Sequence, residues 1–145
     1  MTHIFVNVPT SDLEKSKAFY ISLGAEINPL FTDENAARIV WGDHIQMLVL
    51  PKEYPGTFTD KQIIDPKTHA QVQIAFSRES RADVDSILEA GLANGGSEPR
   101  GAQDYGFMYS RDLDDPDGNG LAFVYMEPQA AEQGPEAYMV EQGQA

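Results

Sequence analysis

Gly42-Asp43-His44-Ile45-Gln46-Met47-Leu48-Val49-Leu50 superposes without a gap on Gly118-Asn119-Gly120-Leu121-Ala122-Phe123-Val124-Tyr125-Met126, glycine on glycine and apolar on apolar at nearly every step. Each stretch is a turn glycine followed by a strand-forming run. Agreement of this kind marks a duplication, and a duplication constrains a fold more than any single motif. Upstream of the first copy, Ile4-Phe5-Val6-Asn7-Val8 is β-branched and apolar enough for a strand, which Pro9-Thr10 ends. Ser11 then reads as a helix N-cap, with Glu14 completing a capping box. Leu13, Ser16, Phe19, Tyr20 and Leu23 share one helical face, and Gly24 follows as a C′ residue. Strand candidates follow at 26–31, 36–41 and 44–50, the last two joined by a tight Gly42-Asp43 turn.

The second copy repeats that order with other residues. A strand at 72–77 precedes a helix capped by Ser80, with Asp83 at the capping-box spacing. Val84, Ile87, Leu88 and Gly91 form its buried stripe, and Gly95-Gly96 stops it. Strands are expected at 97–100, 107–113 and 121–126, the last after the turn Asp115-Pro116-Asp117-Gly118-Asn119. The reading is therefore one domain over 1–126: a first module at about 1–51, a connecting arm at 52–69 and a second module at about 70–126. Tyr54, Phe58, Ile63 and Ile64 give the arm something to bury. The tail 127–145 reads as frayed or weakly helical, with Tyr138, Met139 and Val140 able to dock.

A chain of 145 residues supports one well-buried core and not two. The formal charge of -13 repels phosphate backbones and anionic membrane surfaces, so neither nucleic acid nor membrane is expected as a partner, and cationic ligands are favoured. The absence of cysteine excludes disulfides, thiolate nucleophiles and thiolate metal sites. No apolar run approaches bilayer length and the strand-like start carries no signal peptide, so a cytoplasmic protein is expected. No nucleophile elbow, catalytic triad or phosphate-binding glycine loop is present, and Asp114-Asp115 read as turn caps.

The order strand, helix, three strands, twice over, together with Ser11-Asp12-Leu13-Glu14-Lys15-Ser16-Lys17-Ala18-Phe19-Tyr20 after the first strand and Asp115-Pro116-Asp117-Gly118-Asn119 before the last, resembles the vicinal oxygen chelate superfamily. This is the fold of glyoxalase I, the bleomycin and fosfomycin resistance proteins and the extradiol dioxygenases. The resemblance covers about residues 4–126. It implies an α+β protein of two βαβββ modules whose curved mixed sheets form half-barrels, commonly completed in a homodimer, with a cavity for a small ligand. In catalytic members, histidines on the opening strands and glutamates on the closing strands hold Zn, Ni, Mn or Fe.

Carried over by spacing, those four positions fall on Phe5, Gln46, Gln73 and Ala122, none of them an imidazole or a carboxylate. The usual divalent metal is therefore not expected. The alternative is a metal-dependent lyase or dioxygenase-related enzyme with unusual ligands, for which His3 and His69 are the candidates, two residues or a bulge away. His44 reads as a plain turn residue. The expected cavity lining is Phe5, Asn7, Arg38, Gln46, Gln73, Phe107, Tyr109 and Ala122. Arg38 would anchor an anionic or carbonyl ligand, Arg111 would play a similar part from the second module, and the cluster 103–109 would form an aromatic lip.

Overall fold

The computed structural model describes residues 1–52 and 58–143, so Tyr54 of the arm lies outside the described residues. In chain order the elements are β1 (Ile4–Thr10), α1 (Leu13–Ser22), β2 (Glu26–Ile27), a 3-10 turn (Pro29–Phe31), β3 (Ala37–Gly42), β4 (Ile45–Pro51), β5 (Ile74–Ser77), α2 (Arg81–Ala93), β6 (Gln103–Asp104), β7 (Met108–Asp114), β8 (Gly120–Met126), α3 (Pro128–Gln133) and α4 (Pro135–Glu141). They form two four-stranded sheets of order β1-β4-β3-β2 and β5-β8-β7-β6. In each, the opening strand lies parallel to the closing one and the rest is antiparallel. This is the duplicated α+β architecture the repeat predicts.

Period-two alternation gives every strand one face toward the helices and one away. Val8, Ile39, Met47 and Val49 of the first sheet and Phe76, Leu113, Leu121 and Phe123 of the second lie on the helix side. Phe19 and Tyr20 of α1 and Val84 and Leu88 of α2 join them in one continuous core. Trp41 from the first module packs on Phe76 of the second, with ring centroids 4.4 Å apart. The modules are thus halves of one domain, fused through their helical sides, while the opposite sheet faces stay open.

A polar latch reinforces that fusion. Asp117 is 5% exposed. Its Oδ2 accepts from Thr10 Oγ1 at 2.6 Å and Ser16 Oγ at 3.3 Å, and its Oδ1 from the backbone N–H and the hydroxyl of Ser11, both at 2.7 Å. Asp115 beside it accepts from Tyr20 Oη at 2.8 Å, and Asn119 Nδ2 donates to the Pro9 carbonyl at 3.0 Å. The turn between β7 and β8 of one module is thereby fastened to the β1–α1 junction of the other.

The latch corrects the helix start. Ser11 is engaged by Asp117, so Asp12 is the N-cap of α1 and accepts from the Lys15 N–H, while Glu14 pairs with Lys17 instead of closing a capping box. A carboxylate across the modules outcompetes the local partner because its bonds are charge-assisted. Ser80 caps α2 as read, accepting from the Asp83 N–H, and Gly24 and Gly95 take the positive φ expected after each helix. Strand ends differ where the sequence pattern is short. Residues 28–31 turn after only two β2 residues, and 97–100 contribute a single bridge, Ser97 to Asp114, before β6 forms at Gln103–Asp104. The tail is two short helices, with Ala130 buried and Tyr138 and Met139 half-buried.

Gly118 sits at φ +99°, and a Cβ there would lie 2.7 Å from the Lys67 backbone nitrogen. Gly118→Ala is expected to cost about 1–3 kcal/mol from backbone strain and the clash with the arm. Urea unfolding measures this, and a loss below about 0.5 kcal/mol would show that the arm does not pack on the turn.

Candidate functional site

β1 and β5 are the edge strands of their sheets, and both border one cavity of about 1010 Å³. Asn7 and Pro9 of β1 contribute to its wall, with Gln73 at the start of β5, Asp112 and Asp114 of β7, Asn119 and Gly120 at the start of β8, and Arg100. Arm residues 58–59, 61–64 and 66–72 complete the lining. The arm stays put there partly through local turns: Asp65 Oδ1 accepts from the Lys67 N–H at 3.0 Å, and its carbonyl from the His69 N–H at 3.0 Å. Asp112 is 5% exposed and paired to Arg100, whereas burial and the neighbouring Asp115 and Asp112 raise the Asp114 pKa above its ordinary value.

Strand register fixes the positions equivalent to the metal ligands. Phe5 lies opposite Gln46, and Ala75 opposite Ala122. Since Gln46 aligns with Ala122 in the repeat, the partner of Phe5 in the second module is Ala75, and the placement on Gln73 is corrected by two residues. Alternation leaves both on the same face, and Gln73 still lines the cavity. The four positions thus carry a phenyl ring, an amide and two methyl groups, of which Ala122 is 2% exposed. Among the described residues, no three His, Asp or Glu side chains assemble where a metal ion could be held. This donor set does not fit the divalent metal that the resemblance implies for catalytic members, which wants at least three imidazoles or carboxylates.

The two histidines named as metal alternatives stand apart, His3 beside Phe5 and His69 in the arm that lines the cavity. His3 stacks on Phe5 at 6.3 Å and meets His44 edge-on at 4.7 Å, so the turn residue His44 is its neighbour across the strands. His69 is exposed, its Nδ1 bonded to Thr68 Oγ1 at 2.8 Å. Among the described residues, neither histidine belongs to a group of three His, Asp or Glu side chains that could hold a metal ion.

Arg38 does reach the open face of the first sheet. Its guanidinium lies over the rings of Phe5, at 5.3 Å, and Phe31, at 4.8 Å, and its Nη1 donates to Gln46 Oε1 at 3.1 Å. Its Nε is buried without a hydrogen-bond partner, and among the described residues no carboxylate lies within ion-pair distance of it. Asn7, Leu48 and Arg38 form one cross-strand row, of which only Asn7 lines the cavity.

Tyr109 and Arg111 of the second module fall on the helix face and not on the cavity. Tyr109 Oη donates to Asp85 Oδ1 at 2.6 Å, and Arg111 bonds Asp85 at 2.9 Å and both oxygens of Glu98 at 2.9 Å. Asp85 belongs to α2, so these side chains face the helix. The bonds from Tyr109 and then Arg111 hold the Asp85 carboxyl below its ordinary range. The 103–109 cluster closes over the start of α2, where Arg81 bonds Asp104 at 2.8 Å and the Gly106 carbonyl at 3.1 Å. Phe107 packs 6.2 Å from Tyr105 and lines nothing in the cavity. The reason is parity: helix-facing and open positions alternate, and a shift of one residue exchanges them.

Asp112, Arg100, Asp114 and Phe31 were not legible as site residues. Parity with Ala122 identifies Asp112 once the β7–β8 register is known, but Arg100 and Phe31 come from irregular segments with no period to follow.

Comparison with known proteins agrees with this architecture. Residues 2–42 match the family described as bleomycin resistance protein-like N-terminal. A hypothetical protein, SA1046, from S. aureus superposes with a TM-score of 0.73 at 19% identity, over 86% of this chain and 94% of the other. A glyoxalase/bleomycin resistance protein/dioxygenase family enzyme from Burkholderia phytofirmans PsJN gives 0.69 at 16% identity, over 84% and 96%. The bleomycin resistance determinant encoded on transposon Tn5 gives 0.60 at 20% identity, over 88% and 99%. No curated protein sequence matches. Among the described residues, no helix is long and apolar enough to cross a membrane. The chain therefore has the paired-βαβββ fold of these glyoxalase and bleomycin resistance structures.

Proposed function

We propose that this protein binds a small organic molecule in the cavity between β1, β5 and the arm, without the divalent metal of its catalytic relatives, and that it works as a cytoplasmic homodimer. The observation that carries the reading is the cavity itself: both modules line it, amides and carboxylates reach it, and the four metal-equivalent positions beside it hold no adequate ligand. Concave sites of this size with a few convergent polar groups are the usual form of a small-molecule site. Asp112 and Asp114 give its floor acidic character, in keeping with the charge of -13. Exposed apolar groups elsewhere in the first module, Ile4 at 53%, Ile45 at 41% and Leu30 at 87%, support a second copy as partner. A metal-dependent lyase would need a donor set that the described residues do not bring together.

Gly120 lines the cavity, and a Cβ placed on it meets only Asp114 and Gln73 at ordinary contact distances, 3.8 and 3.9 Å. Gly120→Leu is therefore expected to fill the cavity and weaken any ligand found by thermal-shift screening at least about tenfold, because the ligand loses its contact area. Unchanged affinity in a folded Gly120→Leu protein would place the ligand elsewhere. Stoichiometric Zn, Ni, Mn or Fe in tag-free protein would overturn the metal-free half of the proposal.

A further inference from the structure

We infer that Arg38, held between Phe5 and Phe31 and bonded to Gln46, is a carboxylate-binding subsite on the open face of the first sheet, two strands from the cavity edge, which selects small molecules that carry a carboxylate on an aromatic body. The inference rests on the binding reading above and names its ligand class.

Three observations lead to it. Among the described residues, no carboxylate lies within ion-pair distance of Arg38, although the chain holds 23 acidic residues against 10 basic ones. Arg81, Arg100 and Arg111 each pair with aspartate or glutamate, whereas Arg78 lies over Trp41 and Phe123 and bonds only the Ser77 carbonyl. Arg38 is immobilised by two aromatic faces and a neutral amide, which fix its orientation without supplying a negative charge. Its buried Nε has a donor to satisfy, and a guanidinium edge matches a carboxylate in a two-bond fork.

Position supplies the third observation. Gln46, which orients Arg38, occupies a metal-equivalent position, so the fixed positive charge stands beside the place where the family puts its cation. It offers ligand oxygens an electrostatic partner that needs no metal. Asn7 borders the cavity, and Arg38 lies two strands away in the same row, about 10 Å by ordinary strand spacing. A ligand with two linked rings spans that distance, its body against the cavity and its carboxylate at Arg38. The exposed ring of Phe31 gives the outer part of such a ligand an aromatic face to pack on.

The test compares biphenyl-4-carboxylate with its neutral isostere biphenyl-4-carboxamide by calorimetry, on the wild type, Arg38→Met, Arg38→Lys and Gly120→Leu. Methionine keeps the packing between the two rings, so folding is preserved and circular dichroism verifies it. Wild type is expected to prefer the carboxylate by about tenfold or more, the discrimination one charge-assisted bond supports. Arg38→Met is expected to erase that preference while leaving carboxamide affinity unchanged. Arg38→Lys keeps the charge but not the fork and is expected to retain only part of it. Gly120→Leu is expected to weaken both probes. A preference that survives Arg38→Met, or no binding of either probe to wild type, overturns the subsite. Loss of preference in Arg38→Met with both affinities intact in Gly120→Leu keeps the subsite and rejects the cavity. Conversion of a wild-type dimer to monomer by Arg38→Met, with probe preference unchanged, would mean that Arg38 serves contact between two copies and overturns the inference.

Discussion

Asp117→Ala lowers the stability of this protein by about 3 kcal/mol or more, because its carboxylate is the acceptor on which Thr10, Ser11 and Ser16 converge from the other module. Hydrogen bonds to a charged, buried group are each worth about 1.5–3 kcal/mol in isolation, and the donors left behind are partly cut off from water. Their energies do not add, since the donors share one acceptor. For a domain of this length the loss corresponds to a melting temperature lower by roughly 10 °C, read by circular dichroism. A drop under about 3 °C would mean that the modules are held together by apolar packing alone.

The same carboxylate sets a pH signature. Burial opposes its ionisation, but the bonds from Thr10, Ser11 and Ser16 outweigh burial and keep its folded pKa below the ordinary 3.8. Its stabilisation is therefore complete above 3.8 and is lost as pH falls through the lower, folded value. Asp115 acts in the opposite sense. Burial raises its pKa, so its contribution is full below 3.8 and fades as pH rises through its folded value. Asp117→Asn retains one acceptor oxygen and cannot titrate, so the stability gap between wild type and this variant is expected to narrow as pH drops below 3.8. A gap that stays constant from neutral pH into that range would sink the assignment.

Phe123→Ala is expected to cost about 3–5 kcal/mol, the usual loss when a fully buried phenylalanine leaves a cavity. Phe123 is 0% exposed, and its ring stands 5.6 Å from Phe76 and 6.2 Å from Trp41, with the Arg78 guanidinium 5.1 Å away over its face. It is therefore the point at which the two modules share one core. Burial pulls the Arg78 pKa below its ordinary value, and the aromatic faces partly offset that cost. The chain has a single tryptophan, so Trp41 fluorescence reports this junction directly. Urea unfolding followed by fluorescence and by circular dichroism should remain coincident while the midpoint falls. A loss under about 1 kcal/mol would show that the hole collapses and that the junction is not tightly packed.

Legibility followed periodicity. The buried helical faces of Leu13, Ser16, Phe19 and Tyr20, and of Val84, Ile87, Leu88 and Gly91, were readable because a 3.6-residue period survives any later packing. The absence of metal ligands at Phe5, Gln46 and Ala122 was readable because those strands align without gaps. Gln73 missed its partner by two residues, since β5 is short and its start carries no turn signal to anchor the register. Tyr109 and Arg111 were placed in the cavity when they serve α2, because parity along a strand names two faces without saying which one meets a helix. Ser11 was read as a cap because its competitor, Asp117, is remote in sequence.

By itself, the sequence determined the duplication, the helix and strand order of each module, the acidic charge and the lack of imidazoles and carboxylates at the metal-equivalent positions. These are local or additive properties, carried by spacing and composition. Only the tertiary structure decided that Asp117 fastens one module to the other, that Arg38 is fixed by Phe5, Phe31 and Gln46, and that the arm borders a cavity with β1 and β5. Each of these joins groups far apart in the chain, and their energies exist only once burial removes the water that would otherwise satisfy them.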